Sequence, residues 1–389
     1  MRTAGLFAGI GGFELGLARA GHETELLCEI DPAANTVLKH RFAKVRRFID
    51  DVAKIEQLPR AIDLVVAGFP CINLSLAGEK EGIDGAQSSL VRHVFRILAN
   101  TRVPNLVIEN VPFMLHLNRG EGLLLILRSL ERLRYRWAYR VVDALGFGRP
   151  QRRERVFIVA SRELDPRQVL FADNFAAPPP TPRGTPPASG FYWTEGIRGI
   201  GWAPEAVPTL KGGSTIGIPS PPAIWVHGKG AFTPDIRDAE RMQGFDVDWT
   251  KPAESVARAG HRWKLVGNAV SAMASEWLGR RLATPGTYVH QLDPPLATDR
   301  TLPIAGWSMG KGAMEAVAVT RWAARVERPP LMKWLKFAPR PLSFKATRGF
   351  LERSQRSSLR FEAGFLDDLR KHEAAMREPD DLGRRAAAS

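Results

Sequence analysis

The sequence predicts an α/β protein: a parallel sheet interleaved with helices, a small loop-rich region set into it, and a C-terminal extension. Three observations carry this. Apolar runs of strand length recur at residues 3–7, 26–31, 63–67 and 105–111, each followed by glycine, proline or polar residues. Segments with helical spacing alternate with them, as βαβ units require. From about Glu163 to Phe232 the texture changes to proline and glycine with few helix signals.

Composition narrows the class. A chain of 389 residues has room for one large domain and a smaller one. The net charge of +14 favours a polyanionic partner, without separating DNA, RNA and anionic membrane. No run of about 18 apolar residues occurs, so no membrane span is expected. A strand-like segment begins by about Thr3, leaving no room for a signal peptide. Two cysteines, Cys28 and Cys71, make neither a disulfide framework nor a zinc set, and a reducing cytoplasm is expected.

Taken in order, the strand Thr3 to Phe7 runs into Ala8-Gly9-Ile10-Gly11-Gly12, and a helix begins at Phe13. Strand, glycine-rich turn and helix amino terminus suit a nucleotide-type pocket, although the full dinucleotide fingerprint is missing. The second strand, Leu26 to Asp31, ends in acids; Glu29 is either a ligand for ribose hydroxyls or a solvated strand end. Cys28 lies within the apolar run and reads as core. A third strand, Val45 to Ile49, precedes Asp50-Asp51-Val52, where one aspartate could simply cap a helix. The fourth, Asp63 to Ala67, runs into Gly68-Phe69-Pro70-Cys71, which places a thiol at the carboxyl end of a sheet strand. A free cysteine more often packs as a small hydrophobe, so Cys71 alone decides little. Residues 78–89 read as a lid, and Leu90 to Leu98 as a helix. Asn105 to Val111 closes with Glu109-Asn110-Val111, and a carboxyl there is an acid candidate whose pKa burial would raise. Two paired strands, 139–144 and 155–160, flank the basic run Gly148 to Arg155, which is otherwise a solvated loop.

Together Gly68-Phe69-Pro70-Cys71-Ile72-Asn73-Leu74-Ser75, the glycine-rich turn, Glu109-Asn110-Val111 and Gln151-x-Arg153-x-Arg155 resemble the DNA (cytosine-5) methyltransferases, in that family's motif order, over roughly residues 3 to 282. The resemblance implies the Rossmann-like fold of S-adenosylmethionine-dependent methyltransferases. It implies Cys71 as a nucleophile towards cytosine C6, Glu109 as the acid at N3, Arg155 at the exocyclic oxygen and Arg153 at a flanking phosphate. Ser75 and Gln151 complete the implied substrate contacts. S-adenosylmethionine is implied at Phe7, Gly9, Gly11, Glu29, Ile30, Asp51, Val52, Pro70, Leu90 and Asn268. Ile72 departs from the glutamine that many members place after the cysteine, and altered loop packing is expected there.

The implied organisation is a catalytic and cofactor-binding domain over 1–162, a target-recognition region over 163–232 and a return to the catalytic domain over 233–284. In the return, Thr233 to Phe245 reads as a capped helix ended by Gly244, and Gly267-Asn268 as a helix amino terminus facing the cofactor. Residues 285–389 are a basic extension, read as helical at 312–325 and 367–376. Its 340–360 stretch, with arginines and phenylalanines interleaved, suits either nucleic acid or a docked helical appendage. The partners expected are double-stranded DNA, with the chain a monomer on it, and proteins of a restriction or other phage-defence system. No membrane is expected. An RNA cytosine-5 methyltransferase and a catalytically silent DNA-binding module are the alternatives; Cys71, Glu109 and the arginines weigh against the second.

Overall fold

A computed structural model describes residues 1–69, 89–178, 187–213, 221–289, 293–297, 301–310 and 312–388, with the backbone alone at 89 and from 378 onward. The amino-terminal half is a run of βα units. It comprises β1 (Arg2–Leu6), α1 (Gly12–Arg19), β2 (Glu23–Cys28), α2 (Pro32–Arg41), β3 (Arg47–Ile49), β4 (Leu64–Ala67), α3 (Ser89–Thr101), β5 (Asn105–Asn110) and α4 (Glu121–Arg132). The strands pair in parallel in the order β3-β2-β1-β4-β5. Every residue of β4 and β5 is buried, which is why both read as continuous apolar or uncharged runs interrupted only by Glu109. Val94 and Leu98 of α3 and Ile126 and Leu130 of α4 fill one face of the sheet. Phe13 and Leu17 of α1 pack on the other. The direction of strand addition reverses between β1 and β4, so a crevice opens above their carboxyl ends. Asp31 sets the rim by capping α2, its Oδ1 accepting from Ala33 N at 2.9 Å, with Pro32 at the first helical position.

Next come β6 (Arg136–Asp143), β7 (Gln151–Arg152) and β8 (Glu154–Ser161). Strand β8 inserts between β5 and β6, antiparallel to both, and sets Glu109 opposite Phe157 and Asn110 opposite Val156. After α5 (Pro166–Leu170) the chain enters a second sheet through β9 (Ala188–Phe191) and β10 (Ala203–Pro204). Strand β11 (Val207–Pro208) returns to pair with β7, then β12 (Ala223–Val226) and β13 (Gly230–Thr233) complete the sheet's middle.

The return is α6 (Ile236–Met242), α7 (His261–Asn268) and α8 (Ala272–Ala283). Asp235 caps α6 and Gly244 follows it at φ 89°, as expected. Helix α8 lies so close to α1 that a Cβ on Gly16 would sit 2.4 Å from Ala272 O, so that glycine is set by contact. Gly267 and Asn268 close the carboxyl end of α7; they are not the helix amino terminus expected from the sequence.

The extension joins both sheets, and its 340–360 stretch docks as a helix. Its β14 (Ala305–Ser308) pairs with β6, and β15 (Glu315–Ala316) pairs with β14, giving nine strands in the main sheet. Residues 312–325, read as helical, hold only β15 and irregular chain. Beyond α9 (Leu331–Trp334), β16 (Arg340–Pro341) joins β13 at the edge of the small sheet. Then α10 (Phe344–Ser354) and α11 (Phe365–Ala388) cover that sheet. Phe350 and Phe365 pack with Phe191 and Trp225 in one core, so the interleaved phenylalanines point inward and Lys345, Arg348, Arg356 and Arg360 outward. No described helix is long and apolar enough to cross a membrane.

Candidate active site

A cavity of about 820 Å³ lies at the sheet's reversal point, above the ends of β1, β2, β4 and β5. Glu29, just past β2, is held there by two backbone donors: Gly9 N reaches its Oε2 at 2.7 Å and Asp31 N its Oε1 at 2.8 Å. A carboxylate offers about four acceptor positions, so two remain for a ligand's hydroxyls. Phe7 sits at φ 57°, a left-handed conformation that a non-glycine residue holds only under constraint, and its ring meets Phe69 edge-on at 6.3 Å. A Cβ on Gly9 would meet nothing within 4 Å, leaving its backbone open towards the cavity it lines. Ile30 (72% exposed), Val52 and Leu90 supply apolar lining. Asp50 and Asp51 both line the cavity; Asp51 also caps the turn after it, Oδ1 accepting from Ala53 N at 2.8 Å, and Asp50 pairs with Lys54 at 2.8 Å.

Of the ten residues expected at a cofactor, Phe7, Gly9, Glu29, Ile30, Asp51, Val52, Leu90 and Asn268 line this cavity. Gly11 serves a different need. It holds φ 86° before α1, and a Cβ on it would lie 2.3 Å from the Phe42 ring, so packing and the turn require glycine there. Pro70, Cys71, Ser75 and the lid 78–88 lie outside the described residues.

The acid candidate stands in the same cavity. Glu109 is buried, and Arg155 Nε lies 2.9 Å from its Oε1, off the line of a well-formed hydrogen bond. Burial pushes the Glu109 carboxyl above its ordinary range, while the charges of Arg155 and Arg153 pull it partway back. A Cβ on Gly68 would sit 3.7 Å from Glu109 Oε2, so the carboxyl hangs beside the chain leading to Cys71. Asn110 Nδ2 donates to Phe69 O at 3.1 Å, fixing that chain two residues before the thiol.

Two expected substrate contacts are corrected. Arg153 does not face a phosphate: it is buried and donates to the carbonyls of Leu210 (3.0 Å), Gly267 (3.2 Å) and Ala269 (2.6 Å). Gln151 is buried too, its Oε1 accepting from Leu210 N at 3.0 Å. Alternation does turn Arg153 and Arg155 the same way, but the chain end of α7 and the β11 segment fill the space before Arg153. Arg155 alone opens into the cavity.

Sequence reading missed Tyr192, Thr209, Lys211, Gly212 and Gly213, which line the cavity from the small-sheet side. Nothing local marks them, because the β7–β11 pairing is what brings that segment over. A Cβ on Gly267 would lie 2.2 Å from the Lys211 carbonyl, which shows how tightly it is seated. A second cavity of about 540 Å³ adjoins, shared by Arg155, Tyr192 and Thr209 and bounded by Pro112 and Trp202.

A parallel β3-β2-β1-β4-β5 sheet extended by an antiparallel hairpin, with a cavity at its reversal, is the S-adenosylmethionine-dependent methyltransferase fold. Residues 1–185 match the family described as C-5 cytosine-specific DNA methylase. The chain is 44% identical over 384 residues to the Type II methyltransferase M2.BsuMI of Bacillus subtilis (strain 168), covering 95% of this chain and 98% of that one. It is also 32% identical over 168 residues to the Type II methyltransferase M.DsaV of Dactylococcopsis salina, covering 43% and 47% of the two chains. The solved S. pombe Dnmt2 methyltransferase shares the fold, with a TM-score of 0.54 and 14% identity over 73% of this chain and 98% of its own. The chain therefore belongs to the C-5 cytosine-specific DNA methylase family and is a DNA (cytosine-5) methyltransferase.

Proposed function

We propose that the chain methylates C5 of a cytosine flipped out of a specific duplex DNA sequence, with S-adenosylmethionine as donor and Cys71 as covalent nucleophile. The observation that carries this is the Glu109–Arg155 pair, set at the wall of the cavity beside the strand end that leads to Cys71.

The residues present fit the donor. Glu29, with acceptor positions to spare, suits a ribose diol; Ile30, Val52 and Leu90 suit the faces of an adenine, and Asp51 its edge; the open backbone at Gly9 suits the amino-acid end. When bound, this cofactor supplies an electrophilic methyl group. The chain makes C5 nucleophilic enough to take it. The Cys71 thiolate adds to C6, forming the S–C6 bond as the ring's π electrons move towards N3 and C5. Glu109 holds a proton at N3 and Arg155 the exocyclic oxygen, so charge does not build up on the ring. Loss of the C5 proton to a base then expels the thiolate. A stacked base cannot offer C6 to a thiol, and extruding it costs a few kcal/mol; phosphate contacts from a chain of net charge +14 offset that.

The biological role proposed is the modification arm of a Type II restriction–modification pair in the cytoplasm, marking host DNA against its own nuclease. This rests on the nearly whole-length likeness to one such methyltransferase. Labelled methyl transfer to duplex DNA and to tRNA, followed by bisulfite sequencing of DNA from expressing cells, tests the reading. Methylcytosine at one recurring duplex sequence is expected. Transfer to tRNA alone would overturn it in favour of an RNA enzyme.

A further inference from the structure

We propose that the loop joining β9 to β10 reads the target sequence through Ile197 and Arg198, and that tail helix α10 braces it for that task. The proposal rests on the duplex-DNA reading above and assigns the reading to named residues.

The loop stands where a reader must stand. Its root lies at the catalytic mouth, because Tyr192, Gly201 and Trp202 line the second cavity together with Arg155 and Pro112. The β9–β10 ladder ends with Tyr192 N bonded to Ile200 O at 2.7 Å, so residues 193–199 project beyond it. At the tip Ile197 is 49% exposed, and Arg198 is exposed with no partner among the described residues. A Cβ on Gly199 would meet nothing within 4 Å, so the space beside the tip is open on that side.

An exposed isoleucine in a slack loop would need no explanation. This loop is held. Arg353 of α10 donates from Nη2 to Trp193 O at 2.7 Å and from Nε to Glu195 O at 3.0 Å, and Ser357 Oγ donates to Ile197 O at 3.0 Å. Alternate carbonyls are thus fixed from behind by the extension. From the front, Glu195 pairs with Lys211, whose ammonium lies 3.6 Å over the Tyr192 ring. Such bracing spends ordering entropy in folding and leaves less to lose on binding. Side by side, an arginine and an isoleucine match what a major groove presents: guanine O6 and N7 to a guanidinium, the thymine methyl to an apolar side chain.

The test uses the full chain and a set of duplexes carrying each single base-pair change in the site mapped for the wild type. For Arg198→Ala and Ile197→Ala, both exposed, melting temperature and cofactor affinity should stay at wild-type values. Specificity, kcat/KM, for the intact site should fall about 10–100-fold, and discrimination should collapse at one or two adjacent positions only. Arg353→Ala should raise KM and blur the same positions, and Arg353→Lys should restore part of the difference. Wild-type discrimination at every position in both tip variants would overturn the proposal. So would uniform weakening across all duplexes with a salt slope lower by about one, which marks a phosphate contact. A wild type that transfers no methyl group to any duplex would instead overturn the DNA reading, and this proposal with it.

Discussion

Arg155 Nε lies 2.9 Å from Glu109 Oε1, across the pairing of β8 with β5. A buried carboxyl and a half-buried guanidinium on adjacent antiparallel strands give this enzyme an acid that is oriented yet still inclined to keep its proton.

Glu109→Gln should therefore lower the methyl-transfer rate by about 10²–10⁴-fold, since glutamine fills the volume without supplying the proton. In the wild type the rate should fall as pH rises through the raised Glu109 pKa, and the variant's residual rate should lack that fall. Single-turnover assays across a pH series read both. A change below about threefold would make Glu109 a structural strand end.

Arg153→Ala should cost at least about 2–4 kcal/mol of stability, because it strands buried carbonyls at Leu210, Gly267 and Ala269. DNA affinity measured against salt should keep its slope. Were Arg153 a phosphate ligand, the slope would drop by about 0.9 with stability little changed.

Removing residues 286–389 should prevent folding, although every recognisable motif would remain. The truncation strips β14 from β6 and uncovers the core around Phe191 and Trp225. It also takes two of four acceptors from buried Arg140, which donates to Thr320 O at 3.0 Å and Trp322 O at 3.2 Å as well as to Leu170 O and Asp173 O. Soluble expression and circular dichroism check this, and a soluble, active truncation would contradict it.

Several of the parallel strands are legible because each is an apolar run closed by glycine or an acid, as at Ala67-Gly68 and Cys28-Glu29. Most of the cofactor wall followed, since carboxyl ends of neighbouring strands converge whatever the loops do. What escaped was long-range. Arg153 and Arg155 look equivalent in an alternating run, and only the packing of Leu210 and Gly267 in front of one separates them. The tail hid its strands because β15 and β16 are two residues long, and β14 and β16 take their structure from partners more than 100 residues away. Glu14 escaped for a different reason: an acid in the first turn of a helix reads as a dipole partner, yet this one is wholly buried against Gly5.

That carboxyl gives a stability prediction. Burial raises Glu14 from 4.5 to about 8, so between those values the folded state holds a proton that the unfolded chain has released. Stability should fall as pH rises through that window. Glu14→Gln cannot ionise, so its melting temperature relative to wild type should climb from acid to alkaline pH. A constant difference across the pH series would show that Glu14 does not titrate there.

The covalent step is tested most directly with a duplex carrying 5-fluorocytosine at the target, since fluorine cannot leave C5 as a proton does. With S-adenosylmethionine present, the wild type should form a denaturation-resistant protein–DNA adduct, and peptide mapping should place the linkage on Cys71. Cys71→Ala should bind the same duplex and cofactor, form no adduct and transfer no methyl group. Methyl transfer by Cys71→Ala, or an adduct mapped to another residue, would contradict the account.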